Sequence, residues 1–153
     1  MAQFSARMFD VRDTKGIQGW YDSDRAGLER LVGRPLPTWI ECMQAFNHLL
    51  GAALQGQALF WMVDRDDALV GCVVCSDLAP ASPLGRAHIY VDPQFRRYSV
   101  DVARVGLDGA KEMGIQRVMV NIERSNRAAC ALAKKMGFAP LELDTVLMQK
   151  ELV

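Results

Sequence analysis

Residues 88–138 read HIYVDPQFRRYSVDVARVGLDGAKEMGIQRVMVNIERSNRAACALAKKMGF, and their order is strand, turn, helix, strand, helix. The strand at Ala87–Asp92 is stopped by Pro93. The turn Gln94–Ser99 is basic and ends on Ser99, a residue suited to capping a helix. An amphipathic helix over Val100–Met113 is closed by Gly114. A second strand follows at Arg117–Glu123, and a second helix from Ser125 is closed by Gly137. A strand that delivers a turn to a helix N-terminus aims unpaired backbone N–H groups at one point. The helix dipole favours negative charge there, so this turn is a candidate anion site.

The rest of the chain extends the same pattern. Phe4–Val11 reads as a first strand, and Asp22–Val32 as a short helix ended by Pro35 and Pro37. Thr38-Trp39-Ile40-Glu41 fits a capping box. Trp39, Met43, Phe46, Leu50 and Ala53 then recur at helical spacing, as on a helix that faces a core. Ala58–Val63 and Leu69–Ser76 read as strands joined by the polar turn Asp64–Asp67. Leu78–Gly85, with Pro80 and Pro83, reads as a loop. The tail Leu141–Leu152 is strand-like, with Val146 and Met148 alternating against Leu147 and Gln149. Hairpins in the first half and a βαβ unit in the second predict an α/β fold. Its mixed sheet is flanked by helices, in one domain over residues 1–153.

Composition excludes several classes of function. Lys and Arg number 18, Asp and Glu number 18, and the net charge is zero, so no long-range field draws a nucleic acid or an anionic membrane. Arg96, Arg97, Arg104, Arg124 and Arg127 cluster in sequence, but no aromatics are interleaved at stacking spacing. No apolar run is long enough to span a bilayer, and no charged-then-apolar leader opens the chain. Cys42, Cys72, Cys75 and Cys130 sit among apolar neighbours, as buried free thiols do in a reducing, cytoplasmic compartment. Cys72 and Cys75 stand three apart in a strand, which points their thiols to opposite faces. No second Cys/His pair has ligand spacing, so no metal is expected.

Two motifs carry a resemblance. IYVDPQFRR runs into a helix, and Asn126 precedes ALAKKMGF. With the element order, these resemble the GCN5-related N-acetyltransferase superfamily, closely over about residues 58–150 and by element order before that. The resemblance implies a GNAT-like acyl-CoA N-acyltransferase fold that binds acetyl-CoA and moves the acetyl group to an amine. It implies that Tyr90 and Val91 on the strand, the turn residues Arg96, Arg97, Tyr98, Ser99, Val100 and Asp101, and Asn126 before the last helix meet the cofactor. It also places His88 where the family often carries a glutamate base, and an imidazole suits that task near neutral pH.

The chain departs from the family at three positions. The family's turn reads Gln/Arg-x-x-Gly-x-Gly/Ala, and here Arg96 fits while Ser99 and Asp101 replace the small residues. Serine is tolerable at a helix N-terminus. A carboxylate at Asp101 would repel a pyrophosphate by roughly 1–4 kcal/mol at about 4 Å, or it simply stabilises the helix dipole. Ala133 stands where the family places its tyrosine acid, so acetyl transfer is expected to be weak or lost. The alternative is a catalytically inactive module of the same fold. Its role would then be contact within a homo-oligomer or protein assembly, as in a phage-encoded virion component.

Overall fold

The computed structural model describes residues 2–76, 84–140 and 146–152. The elements run β1 (Phe4–Arg7), α1 (Thr14–Val32), α2 (Trp39–Leu54), β2 (Leu59–Arg65), β3 (Ala68–Ser76) and β4 (Leu84–Val91). They continue with α3 (Ser99–Glu112), β5 (Arg117–Ile122), α4 (Arg127–Lys135), β6 (Ala139–Pro140) and β7 (Val146–Glu151). Among the described residues, the strands form one mixed sheet in the order β1-β2-β3-β4-β5-β7-β6.

The sheet separates two apolar layers. Side chains alternate across each strand. Phe60, Met62, Cys72, Val74 and Tyr90 therefore pack with Ile17, Trp20, Leu28, Cys42 and Phe46 of α1 and α2. Val63, Val70 and Val73 meet Val102 of α3 on the opposite face, where Cys75 and Val118 also pack with Ala110. Cys72 and Cys75 thus lie on opposite faces, and burial pushes the Cys42 thiol up to about 11. Among the described residues, no group of three His, Cys, Asp or Glu side chains is placed to hold a metal ion. No helix there is long and apolar enough to cross a membrane.

The periodicity of α3 predicts a core-facing stripe of Val100, Ala103, Leu107 and Ala110, and the structure buries its two alanines but rotates the rest partly away. Val102, Ala103, Gly106 and Ala110 are buried, while Val100 and Leu107 are only partly covered. Two glycines explain the rotation. A Cβ on Gly106 would lie 2.7 Å from Val73, and one on Gly109 would lie 2.6 Å from the Trp61 ring. The helix turns its glycines toward the sheet to approach closely, and glycine carries no weight in a hydrophobic pattern.

Other boundaries move for local reasons. The first strand stops at Arg7, because Asp10 caps a 3-10 turn at Val11–Asp13 that leads into α1 at Thr14, not Asp22. The helix is interrupted at Asp24 (φ −149°, ψ 54°), and the expected start lies beside this internal restart. At α2 the Thr38 hydroxyl accepts from Glu41 N–H at 3.2 Å. The Glu41 carboxylate accepts from that hydroxyl at 3.0 Å and not from a backbone N–H, so the cap is half a capping box. β2 continues through Asp64 and Arg65, which leaves Asp66 (φ 53°) and Asp67 to make the turn. β4 begins at Leu84, inside the segment expected to be loop, and Ala139–Pro140 adds a strand that was not expected. The remainder of that loop (78–83) and the tail before β7 (141–145) lie outside the described residues.

One ion network joins β1, the first turn and β2. Arg7 donates to Asp13 at 2.7 and 2.8 Å and to Asp64 at 2.6 and 3.2 Å. Asp13 is 4% exposed. Burial alone would raise its carboxyl, but the Arg7 bonds, the Asp10 N–H and nearby positive charge hold it below its ordinary value. Asp13→Asn leaves Arg7 short of a partner and should lower stability by about 3 kcal/mol, read from urea unfolding. The stabilisation is present above about pH 3.8, the ordinary value, and is lost as pH falls through the depressed folded value. The variant should therefore lack the wild type's acid-induced loss over that window.

Candidate functional site

Strands β4 and β5 run parallel, but they pair only at Leu84↔Arg117, Gly85↔Val118 and Arg86↔Met119. β4 continues to Val91 and β5 to Ile122 without further pairing, so the sheet splits between their C-terminal halves. A cleft of about 560 Å³ opens there, lined by β4, β5, α3, α4 and one side of α1.

The open edge of β4 presents backbone groups to this cleft. Asp92 N–H donates to the Val70 carbonyl at 2.8 Å. Residues of an antiparallel ladder alternate between bonding that neighbour and facing away. Tyr90 and His88 share the Asp92 phase and bond β3. Ile89 and Val91 turn their N–H and C=O groups toward the split.

The side chains follow the opposite logic of the pleat. His88 and Tyr90 project to the α1/α2 face. His88 is half-buried and lines the cleft. Tyr90 is 4% exposed, and its ring packs 4.9 Å from the Trp20 ring. Its hydroxyl donates to Asp24 Oδ2 at 3.1 Å. Burial, then the charge and hydrogen bond of Asp24, push the Tyr90 phenol far above its ordinary value. The phenol is a fixed donor and a poor proton source.

Asp24 was not found in the sequence. It stands at the break in α1, where Oδ1 accepts from Gly27 N–H at 3.3 Å and restarts the helix. Its Oδ2 faces the cleft, with Arg96 Nη2 at 3.5 Å. Gly27 makes room, since a Cβ there would fall 2.4 Å from Asp24 Oδ2 and 2.9 Å from the Tyr90 ring. The signal was faint: Asp-x-x-Gly before Leu28 and Leu31, inside a polar run. Asp92 is a second missed carboxylate. It caps the turn through Gln94 N–H at 2.9 Å and accepts from Trp20 Nε1 at 3.0 Å, which ties α1 to the turn.

The turn itself is a 3-10 segment, Pro93–Tyr98, that passes directly into α3. Ser99 is the first residue of α3 and makes no N-cap bond. Its N–H and its hydroxyl (2.7 Å) both donate to the Arg96 carbonyl. Ser99, Arg96, Tyr90, Val91 and Asn126 line the cleft alongside His88. Arg97, Tyr98, Val100 and Asp101 are not among its lining residues. Tyr98 joins an aromatic cluster with Phe4 and Phe95, with the guanidiniums of Arg65 and Arg97 at 4.5 and 4.7 Å from its ring centre. Asp101 sits half-buried in the first turn of α3 and makes no ion pair among the described residues. Asn126 caps α4 through Ala129 N–H at 3.3 Å. Ala133 is buried in the cleft wall and has no proton to offer.

Comparison with known proteins places this geometry. The family model described as the Acetyltransferase (GNAT) family matches residues 20–138. No curated protein matches the sequence. Solved structures share the fold at low identity. Spermidine N-acetyltransferase from Vibrio cholerae, in complex with CoA and spermine, superposes with TM-score 0.81 at 14% identity, covering 97% of this chain and 95% of that one. RimL, a ribosomal L7/L12 alpha-N-protein acetyltransferase in complex with coenzyme A, gives TM-score 0.83 at 14% identity, covering 97% and 93%. Mycobacterium smegmatis RimJ with CoA-disulfide gives TM-score 0.79 at 17% identity, covering 97% and 81%. With the family model spanning most of the chain and the split sheet present, this protein belongs to the GNAT acetyltransferase family.

Proposed function

We propose that this protein transfers an acetyl group from acetyl-CoA to an amine. The observation that carries the reading is the β4/β5 split, which leaves the backbone groups of Ile89 and Val91 facing a cleft of about 560 Å³. An extended chain bearing amides can pair with such an edge as an added strand would. The pantetheine arm of CoA is such a chain. Arg96, 62% exposed and held only by a 3.5 Å contact with Asp24, stands at the start of α3 within reach of a phosphate. Tyr90, Val91, Ser99 and Asn126 border the same space. Acetyl-CoA bound here supplies an activated acyl thioester.

His88 then takes the proton that the attacking amine releases, from the α1/α2 side of the strand. Tyr90 does not serve as the acid for the departing thiol, because its proton is committed to Asp24. With alanine at 133, the thiol must draw its proton from water or from the acceptor. Turnover is accordingly expected to be slow for this fold.

A second reading has its own observation. The 3-10 turn uses the Ser99 N–H internally and leaves Asp101 beside the helix N-terminus, so the pyrophosphate site is weakened. The fold would then persist without turnover. Calorimetry with acetyl-CoA decides between the two. Micromolar binding is expected for the enzyme, and no heat at millimolar ligand leaves the inactive module. Asp101→Gly should tighten CoA binding by about fivefold or more, the equivalent of 1 kcal/mol of relieved repulsion. Unchanged affinity would remove Asp101 as the cause of weak binding.

A further inference from the structure

We propose that Asp24 Oδ2 is the recognition point for a second, non-reacting cationic nitrogen, so that the acceptor is a diamine or a longer polycation. The inference rests on the acetyltransferase reading above and deepens it.

The protein itself supplies the contrast. Asp13 shows what a structural carboxylate looks like here: 4% exposed, with bonds of 2.7 and 2.8 Å to Arg7 and 2.8 Å from Asp10 N–H. Asp24 is also mostly covered, at 16% exposed, yet its contacts are 3.1, 3.3 and 3.5 Å. Charge-assisted bonds to a carboxylate are normally 2.7–2.9 Å. Only Oδ1 is needed to restart α1, through Gly27 N–H. Oδ2 is held in the cleft by the neutral Tyr90 hydroxyl and by an arginine that is 62% exposed. Its negative charge is thus poorly matched by the protein and faces the space an acceptor would enter.

The chemistry of transfer sets which nitrogen it binds. A nitrogen that attacks a thioester must be neutral, with its lone pair free. A carboxylate beside it that keeps an ammonium charged suits a different nitrogen. His88 and Tyr90 are two residues apart on β4, about 6.6–6.8 Å along the strand. A nitrogen at Oδ2, reached through Tyr90, and a nitrogen at His88 therefore sit at roughly the spacing that a few methylenes provide. Arg30 and Glu123 also line the cleft with opposite charges, and Arg96, the cation beside Asp24, touches it only at 3.5 Å.

The test compares 1,4-diaminobutane with butylamine, which lacks only the second nitrogen. The wild type should favour the diamine in kcat/KM by about 10–150-fold, the range for one hydrogen bond to a charged group. In Asp24→Asn the ratio should fall to near one, through KM for the diamine. Equal use of both amines by the wild type overturns the proposal. Calorimetry of 1,4-diaminobutane alone separates this idea from the transfer reading. Diamine binding that Asp24→Asn abolishes, with no turnover on any amine, keeps the cation site and rejects the enzyme. Absence of diamine binding in the wild type rejects the site. Should Asp24→Asn fail to fold, Arg96→Ala removes the competing cation and keeps the carboxylate. It should bind the diamine severalfold more tightly, and weaker binding would overturn the proposal.

Discussion

Replacing His88 by alanine should lower the rate of acetyl transfer at neutral pH by about 10²–10⁴-fold, the usual contribution of one positioned acid–base group. His88 lies on the half of β4 that does not pair with β5, half-buried, and its side chain enters the cleft on the face opposite α3. An acceptor amine with a pKa near that of lysine, about 10.4, arrives protonated at pH 7. Something must remove that proton before attack. The deficit in the alanine variant should therefore shrink as pH rises toward the amine's own pKa, because the neutral amine is then supplied by solution. A side chain that merely supported the strand would lower the rate evenly across pH. Thiol release from acetyl-CoA, followed from pH 7 to pH 10, distinguishes the two. Full activity at neutral pH would assign the proton transfer to water or another residue.

The parts of this molecule that were legible in the sequence are those set by local rules. Gly114 and Gly137 adopt positive φ and close their helices, as a helix stop requires. The alternation around Cys72 and Cys75 placed the two thiols on opposite faces. The parallel pairing of β4 and β5 followed from a strand, a crossover helix and a second strand. What stayed hidden depends on contacts between distant segments. Asp22, Ser23, Asp24 and Arg25 look alike as a polar run, and only Asp24 turns into the cleft. Tyr90, 66 residues away, holds it there. Ser99 resembles a helix cap by type, but the 3-10 turn before it brings the Arg96 carbonyl into range of both its donors. Tyr98 stands in the turn by position, yet Phe4 and Arg65 at the far edge of the sheet draw its ring away. In each case residue type and spacing were compatible with more than one partner, and tertiary packing selected among them.

Phe46→Ala should cost about 3–5 kcal/mol, the usual cost of deleting a buried aromatic ring from a core. Phe46 is fully buried, its ring lies 5.8 Å from that of Phe60, and Cys42 and Ala45 are buried beside it. Of the stripe Trp39, Met43, Phe46, Leu50, Ala53, expected to face a core, Phe46 is fully buried and Met43 is partly covered. Trp39, Leu50 and Ala53 pack against the same cluster, and Tyr21 meets the Trp39 ring at 5.7 Å. The apolar side chains that α2 does expose, Ile40 and Leu54 (69% each), lie near its two ends and form no continuous patch along it. Two measurements check this together. Urea unfolding should show the Phe46→Ala midpoint lowered with the slope preserved, as for lost stability in an unchanged fold. Trp39→Glu should also destabilise the isolated chain, because it places a charge against Tyr21 and the α1 layer. A Trp39→Glu protein that stays as stable as wild type but changes its oligomeric state would show that this face meets another chain. Loss of stability in both variants assigns the first third of the molecule to the core, and any partner must then bind elsewhere.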